Sequence, residues 1–179
     1  MKNASKVILA VLIAMIFIVG CNKNDDVLYE KDGVSIKIEN LEEMKFIGKE
    51  INDFSYWEEM HSDGTMNKLQ TLAKNQNEGI VHIGNGYFAG VEAKNSYNEE
   101  EDKIVSQFDT YVIEKNKWIV ASADINYTEQ DLDSMKKIID EYLELNKDIK
   151  IKEDAPVIEF YPVSVNALDT DYKVMAVIQ

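Results

Sequence analysis

Apolar residues fall first into one unbroken run, Val7 to Val19, and afterwards into short alternating or three-spaced sets. Val27 to Glu30 and the alternating Val34, Ile36 and Ile38 flank a Lys31-Asp32-Gly33 turn, which predicts a β-hairpin. Leu41, Met44 and Ile47 recur at spacings of three, as one face of a helix does, until Gly48 interrupts them. Phe54, Tyr56 and Trp57 cluster beside Glu58 and Glu59, and are expected to be core anchors. Asp63-Gly64-Thr65 reads as a turn into a helix. Met66, Leu69, Leu72 and Ala73 mark its buried face, and Gly79 is its expected stop.

The strongest strand pattern lies further on. Ile80 to Gly84 and Tyr87 to Ala93 flank Asn85-Gly86, a pair that favours a tight hairpin turn. Asn95 to Asp102 is expected to be a solvated loop. Ile104 to Glu114 and Lys117 to Ile125 are rich in Val, Ile, Tyr, Phe, Thr and Trp, and flank a Lys115-Asn116 turn. Residues 80–125 therefore predict a four-stranded antiparallel meander. Thr128 is placed to cap a helix, with Asp131 in the capping-box position. Leu132, Met135, Ile139, Tyr142 and Leu143 trace its buried stripe toward Lys147. Val157 to Val165 and Tyr172 to Ile178 form a last strand pair, and Pro156 and Pro162 suit a strand start or an edge. The sum is an α+β domain: an antiparallel β-meander with one or two packed helices. No internal repeat is visible.

The N-terminal run has another meaning. Met1 to Lys6 carries two lysines and no acid, and thirteen apolar residues follow before Gly20 and Cys21. A membrane-crossing helix needs about 20 apolar residues, so the layout is that of a cleaved secretory signal peptide. Ile18-Val19-Gly20-Cys21 resembles the lipobox of bacterial lipoproteins. That resemblance implies diacylglycerol transfer to the Cys21 thiol and cleavage before it. It implies a leader over 1–20; the polar run over 21–26 reads as a tether, and the length of the remaining chain suits a single domain over 27–179. The resemblance further implies an extracytoplasmic, membrane-anchored protein, because two or more acyl chains anchor stably. Cys21 is the only cysteine, so no disulfide is expected although the compartment is oxidising.

Charge narrows the partners. The formal net charge is −14, there is no arginine, and loss of Lys2 and Lys6 with the leader takes it to −16. Phosphate backbones need a basic surface, so nucleic acid is expected to be excluded. The expected partners are the membrane, through the Cys21 anchor, and a protein or envelope component of unspecified identity.

Candidate chemistry is sparse. No nucleophile elbow, phosphate loop or dinucleotide fingerprint is present. His82 sits mid-strand. His61, with Glu58 and Asp63, is a weak candidate for metal ligation, since imidazole and carboxylate suit Zn or Mn. The run lacks the two-histidine spacing of a helical zinc motif. Glu99 to Asp102 lacks the spaced ligands of a calcium loop. No cofactor is expected. The residues favour a non-catalytic binding or interaction domain. The alternatives are a metal-dependent hydrolase near His61 and a cation-binding accessory protein drawing on the acidic surface.

Overall fold

The computed structural model describes residues 27–124, 132–163 and 171–179. The leader, Cys21, the tether and the Thr128 cap lie outside the described residues. Among these the chain forms nine strands and four helices. They are β1 (Tyr29–Lys31), β2 (Val34–Leu41), β3 (Met44–Ile51), α1 (Phe54–Ser62), α2 (Thr65–Gln70), β4 (Ala73–Ile83), β5 (Gly86–Ala93), α3 (Glu99–Val105), β6 (Asp109–Ile113), β7 (Asn116–Ala123), α4 (Leu132–Leu145), β8 (Val157–Pro162) and β9 (Tyr172–Val177). All strands join one antiparallel sheet in the order β1-β2-β7-β9-β8-β4-β5-β3-β6.

That order contains a repeat that the sequence hides. β3, α1 with α2, β4 and β5 make a strand–helix–strand–strand unit, and β7, α4, β8 and β9 make another. Within the sheet the units read β3-β5-β4 and β7-β9-β8, so they meet back to back at β4 and β8. Gly79 faces Phe160 and Ile80 faces Glu159 across this seam. The centre of the sheet is thus the approximate two-fold centre of the domain.

The sheet cannot be flat. Glu42 and Glu43 alone connect β2 to β3, yet these strands hold the second and eighth places. Six strand spacings would span roughly 29 Å in a flat sheet. The three Cα steps from Leu41 to Met44 reach at most about 11 Å. β6 and β7 are likewise joined by Glu114 and Lys115 alone, across six places. The sheet therefore curls on itself. Its concave face is filled by Phe46, Val81, Phe88, Trp118, Ile158 and Val177. Its convex face carries two further cores. One packs Ile119, Ala121, Val174 and Ala176 against Met135, Ile138, Ile139 and Tyr142 of α4. The other packs Ile47, Ala89 and Val91 beneath Met60 of α1 and Met66 and Leu69 of α2.

The curl depends on missing side chains. Gly48, Gly90 and Gly79 stand side by side on β3, β5 and β4. A Cβ on Gly48 would lie 2.0 Å from the Ala89 carbonyl oxygen. Gly48→Ala is expected to destabilise the fold by about 3 kcal/mol, the upper part of the range for overpacking. Urea unfolding monitored by circular dichroism measures this, and an unchanged midpoint would contradict the close approach.

Several expectations are corrected. Residues 80–125 do not form a four-stranded meander: β4 and β5 make a hairpin, with Gly84-Asn85 as its turn and Gly86 already paired with Ile83, but β6 pairs with β3 and β7 with β2 and β9. The three-spaced Leu41, Met44 and Ile47 belong to β2 and β3. Phe46 and Ile47 are both fully buried because the curled sheet covers one face of β3 and helices cover the other. Gly79 lies inside β4 and stops no helix. Glu99 to Asp102 is the first turn of α3, with Asn98 and Glu101 forming a reciprocal capping box. The last two strands, β8 and β9, sit mid-sheet, not at an edge. The sheet is larger, and the helices more numerous, than expected.

Candidate functional site

Strand alternation puts Glu78, Ile80 and His82 of β4 on one face of the seam, with Glu159 and Tyr161 of β8 on the same face. Glu78 stands opposite Tyr161 and diagonal to Glu159. Both carboxylates are almost wholly buried, at 4% and 3% exposure. Buried carboxylates survive only with partners, and each draws one from the helix of its own repeat. His61 Nε2 of α1 lies 2.8 Å from Glu78 Oε2, and Gln70 Nε2 of α2 donates to Glu78 Oε1 at 3.3 Å. Lys136 Nζ of α4 lies 2.6 Å from Glu159 Oε1. Glu159 also receives His82 Nε2 at 2.9 Å and the Tyr161 hydroxyl at 2.8 Å.

These partners divide the carboxylates electrostatically. Burial pushes the Glu78 carboxyl up, and His61 and Gln70 do not fully offset it. Burial would push Glu159 up as well, but hydrogen bonds from His82, Lys136 and Tyr161 outweigh it and hold that carboxyl at about 2. Burial, followed by the adjacent Glu159 charge, raises the Tyr161 phenol, so it remains a donor. Despite its own partial burial, Lys136 is raised by Glu159 and Asp133.

Aromatic rings close a circuit around this floor. Trp57 packs on Tyr161 with centroids 5.0 Å apart, and on Phe54 at 6.3 Å. Phe54 meets Tyr87 at 5.0 Å, and Tyr87 meets His82 at 5.1 Å. Beside them opens a cavity of about 410 Å³, lined by Phe54, Tyr87, Tyr161, His82, Glu159, Leu132, Asp133 and Lys136. The Trp57 indole N–H is buried and turned toward the Glu78 carboxylate, which it helps to hold. A ring wall above a fixed negative charge is suited to cations, which are drawn to ring faces as well as to carboxylate.

The candidates of the sequence are thus redistributed. His61 pairs with Glu78. Asp63 instead accepts from the Thr65 backbone N–H, and Glu58 is exposed. Among the described residues no three His, Cys, Asp or Glu side chains are grouped to hold a metal. Phe54 and Tyr56 are 39% and 49% exposed, so they are not the core anchors expected. Phe54 and Trp57 instead wall the site. Glu78 and Glu159 are not singled out by the sequence. Their one signal is local: an acid set between strand-forming apolar residues, as in Val157-Ile158-Glu159-Phe160-Tyr161.

No protein-family model and no curated protein sequence matches this chain. Solved structures share its fold. SAV2435 bound to tetraphenylphosphonium is 13% identical with a TM-score of 0.61, over 80% of this chain and 93% of that one. A bacterial transcription regulation protein from Staphylococcus aureus MU50 is 10% identical with a TM-score of 0.57, over 80% and 97%. The EcmrR–DNA complex is 12% identical with a TM-score of 0.53, over 99% of this chain and 68% of that one. At these identities the likeness is one of fold. The last of them corrects the expectation that nucleic acid is excluded, since a chain similar in fold is found in a complex with DNA. Net charge is an average over the surface, and it does not exclude membership of such an assembly.

Proposed function

We propose that this chain is a lipid-anchored, extracytoplasmic binding protein whose ligand is an aromatic organic cation held at Glu159. The observation that carries the reading is the ionised, buried Glu159 at the floor of a cavity walled by Phe54, Tyr87 and Tyr161. Small-molecule sites are mostly apolar clefts with a few placed polar groups, and this one offers rings around the carboxylates Glu159 and Asp133, which Lys136 bridges. The fold likeness to SAV2435 bound to tetraphenylphosphonium supports the choice of probe. Ile18-Val19-Gly20-Cys21 supports the anchor and the compartment.

The test uses tryptophan emission. The chain has two tryptophans. Trp118 is fully buried in the concave core, whereas Trp57 borders the site. Tetraphenylphosphonium titrated into the full-length chain is expected to change Trp57 emission saturably, with a Kd on the order of micromolar, about −8 kcal/mol. A titration that stays flat to millimolar ligand sinks the binding reading. Mass spectrometry of the native protein tests the anchor separately: the chain should begin at Cys21 with acyl groups attached, and an intact Met1 leader rules the anchor out.

A further inference from the structure

Two buried carboxylates meet at the seam, but they stand differently to the cavity. Glu159 lines it, whereas Glu78, His61 and Gln70 lie outside its lining. Glu78 is met by donors from two helices: His61 Nε2 of α1 at 2.8 Å, Gln70 Nε2 of α2 at 3.3 Å, and the Trp57 indole N–H of α1. Burial pushes the Glu78 carboxyl up, and these donors offset that only in part. Such a carboxylate is a poor source of stability, since a well-packed apolar side chain of similar volume often serves as well or better in its place. What it supplies is direction, because donors that converge on one carboxylate fix their own side chains relative to the strand that carries it.

The helix above it needs that direction. Phe54, Trp57 and His61 are spaced by three and four residues, so they share one face of α1. His61 and Trp57 reach Glu78, while Phe54, at the other end of the face, lines the cavity. Trp57 links the two ends. It meets His61 edge-on at 5.1 Å and Phe54 edge-on at 6.3 Å, and packs on Tyr161 at 5.0 Å. Tyr161 in turn faces Glu78 across the seam and lines the cavity. The two helices are anchored unequally. In α4, Leu132, Met135, Ile138, Ile139 and Tyr142 are buried, but in α1 only Met60 is. The α4 side of the cavity therefore rests on a full apolar stripe. The α1 side rests on one methionine and on the polar contact with Glu78.

We propose that Glu78 is a positioning residue: it holds His61 and Trp57, and through Trp57 it fixes the Phe54 and Tyr161 rings against which an aromatic cation packs. Glu78 itself touches no ligand. The inference rests on the organic-cation reading of the Glu159 site.

A double-mutant cycle on the full-length chain in detergent tests it. Calorimetry gives the tetraphenylphosphonium affinity of the wild type, Glu78→Met, Trp57→Phe and the double variant. Glu78→Met is expected to weaken binding at least about tenfold while Trp57 is present and hardly at all once it is replaced, because residues that act as one unit do not add. The ligand-free emission of Trp57, taken as the difference between each protein and its Trp57→Phe version, should move to the red in Glu78→Met and become easier to quench with acrylamide. Thermal unfolding confirms that the variants are folded. Glu78→Gln keeps one acceptor oxygen in nearly the same shape. It should show the same pattern at reduced size, and it carries the cycle should Glu78→Met fail to fold. Equal losses of affinity with and without Trp57 overturn the proposal, since Glu78 would then act through overall stability or charge. So does unchanged Trp57 emission, or wild-type affinity, in a folded Glu78→Met protein. A wild type that binds no tetraphenylphosphonium sinks the organic-cation reading instead, and the ligand-free emission still decides whether Glu78 holds Trp57.

Discussion

Glu159→Gln will lower the unfolding free energy at pH 7 by about 3 kcal/mol, and the loss will vanish in acid. The folded protein holds this carboxyl at about 2, against an ordinary value of 4.5. Every tenfold change in proton affinity between the folded and unfolded chains corresponds to about 1.4 kcal/mol. A depressed carboxyl binds protons less readily folded than unfolded, so its ionised form stabilises the fold. That contribution is complete above pH 4.5 and is lost as pH falls toward 2. Glutamine keeps the shape but removes the buried charge that Lys136, His82 and Tyr161 meet, leaving Lys136 with Asp133 alone. Denaturant unfolding of both proteins between pH 2 and 7 measures the gap. A constant gap across that range, or none at pH 7, contradicts the assignment of Glu159 as an ionised floor.

The second large effect concerns the occupant already in the site. Lys136 Nζ sits 2.6 Å from Glu159 Oε1 and is steadied by Asp133 at 3.1 Å. A ligand cation approaching Glu159 must displace this ammonium or share the carboxylate with it. Unit charges about 4 Å apart interact by about 4 kcal/mol at an effective dielectric of 20. Lys136→Met removes the competitor and lengthens the apolar wall. It is expected to tighten tetraphenylphosphonium binding ten- to a hundredfold. The same variant should be less stable, since Glu159 then keeps only His82 and Tyr161. Equal or weaker ligand affinity in a folded Lys136→Met protein shows that the cation does not compete for Glu159.

Local pattern and long-range pairing differ in how far the sequence discloses them. The β1–β2 hairpin is legible because its Asp32-Gly33 turn and a period of two act over a few residues, and the β4–β5 hairpin is legible too, although it turns at Gly84-Asn85, one residue before the expected pair. The stripe Leu132, Met135, Ile139 and Tyr142 is legible as a helix for the same reason. β3 reads as helix because burial on both faces erases alternation and leaves Met44 and Ile47 at an accidental helical spacing. The places of β6 and β7 are not legible at all. Their link is local, but the curl that brings them together from distant places in the sheet depends on Gly48, Gly79 and Gly90 aligning across three strands. The site suffers the same limit. Glu78 and Glu159 are 81 positions apart in sequence and become neighbours only when the two repeats meet at β4 and β8. His61 stands out in the sequence as a polar side chain with carboxylate company, but its partner comes from a strand, not from its own helix.

Glu159 is central to all of this as the counter-charge for a cation within an aromatic wall. Calorimetric titration of tetraphenylphosphonium into the wild-type chain and into Glu159→Gln at pH 7 tests that role most directly. One site per chain is predicted in the wild type, with at least a hundredfold loss of affinity in a folded variant. Equal affinity in the two proteins would contradict it, because binding would then owe nothing to the buried charge on which the site is built.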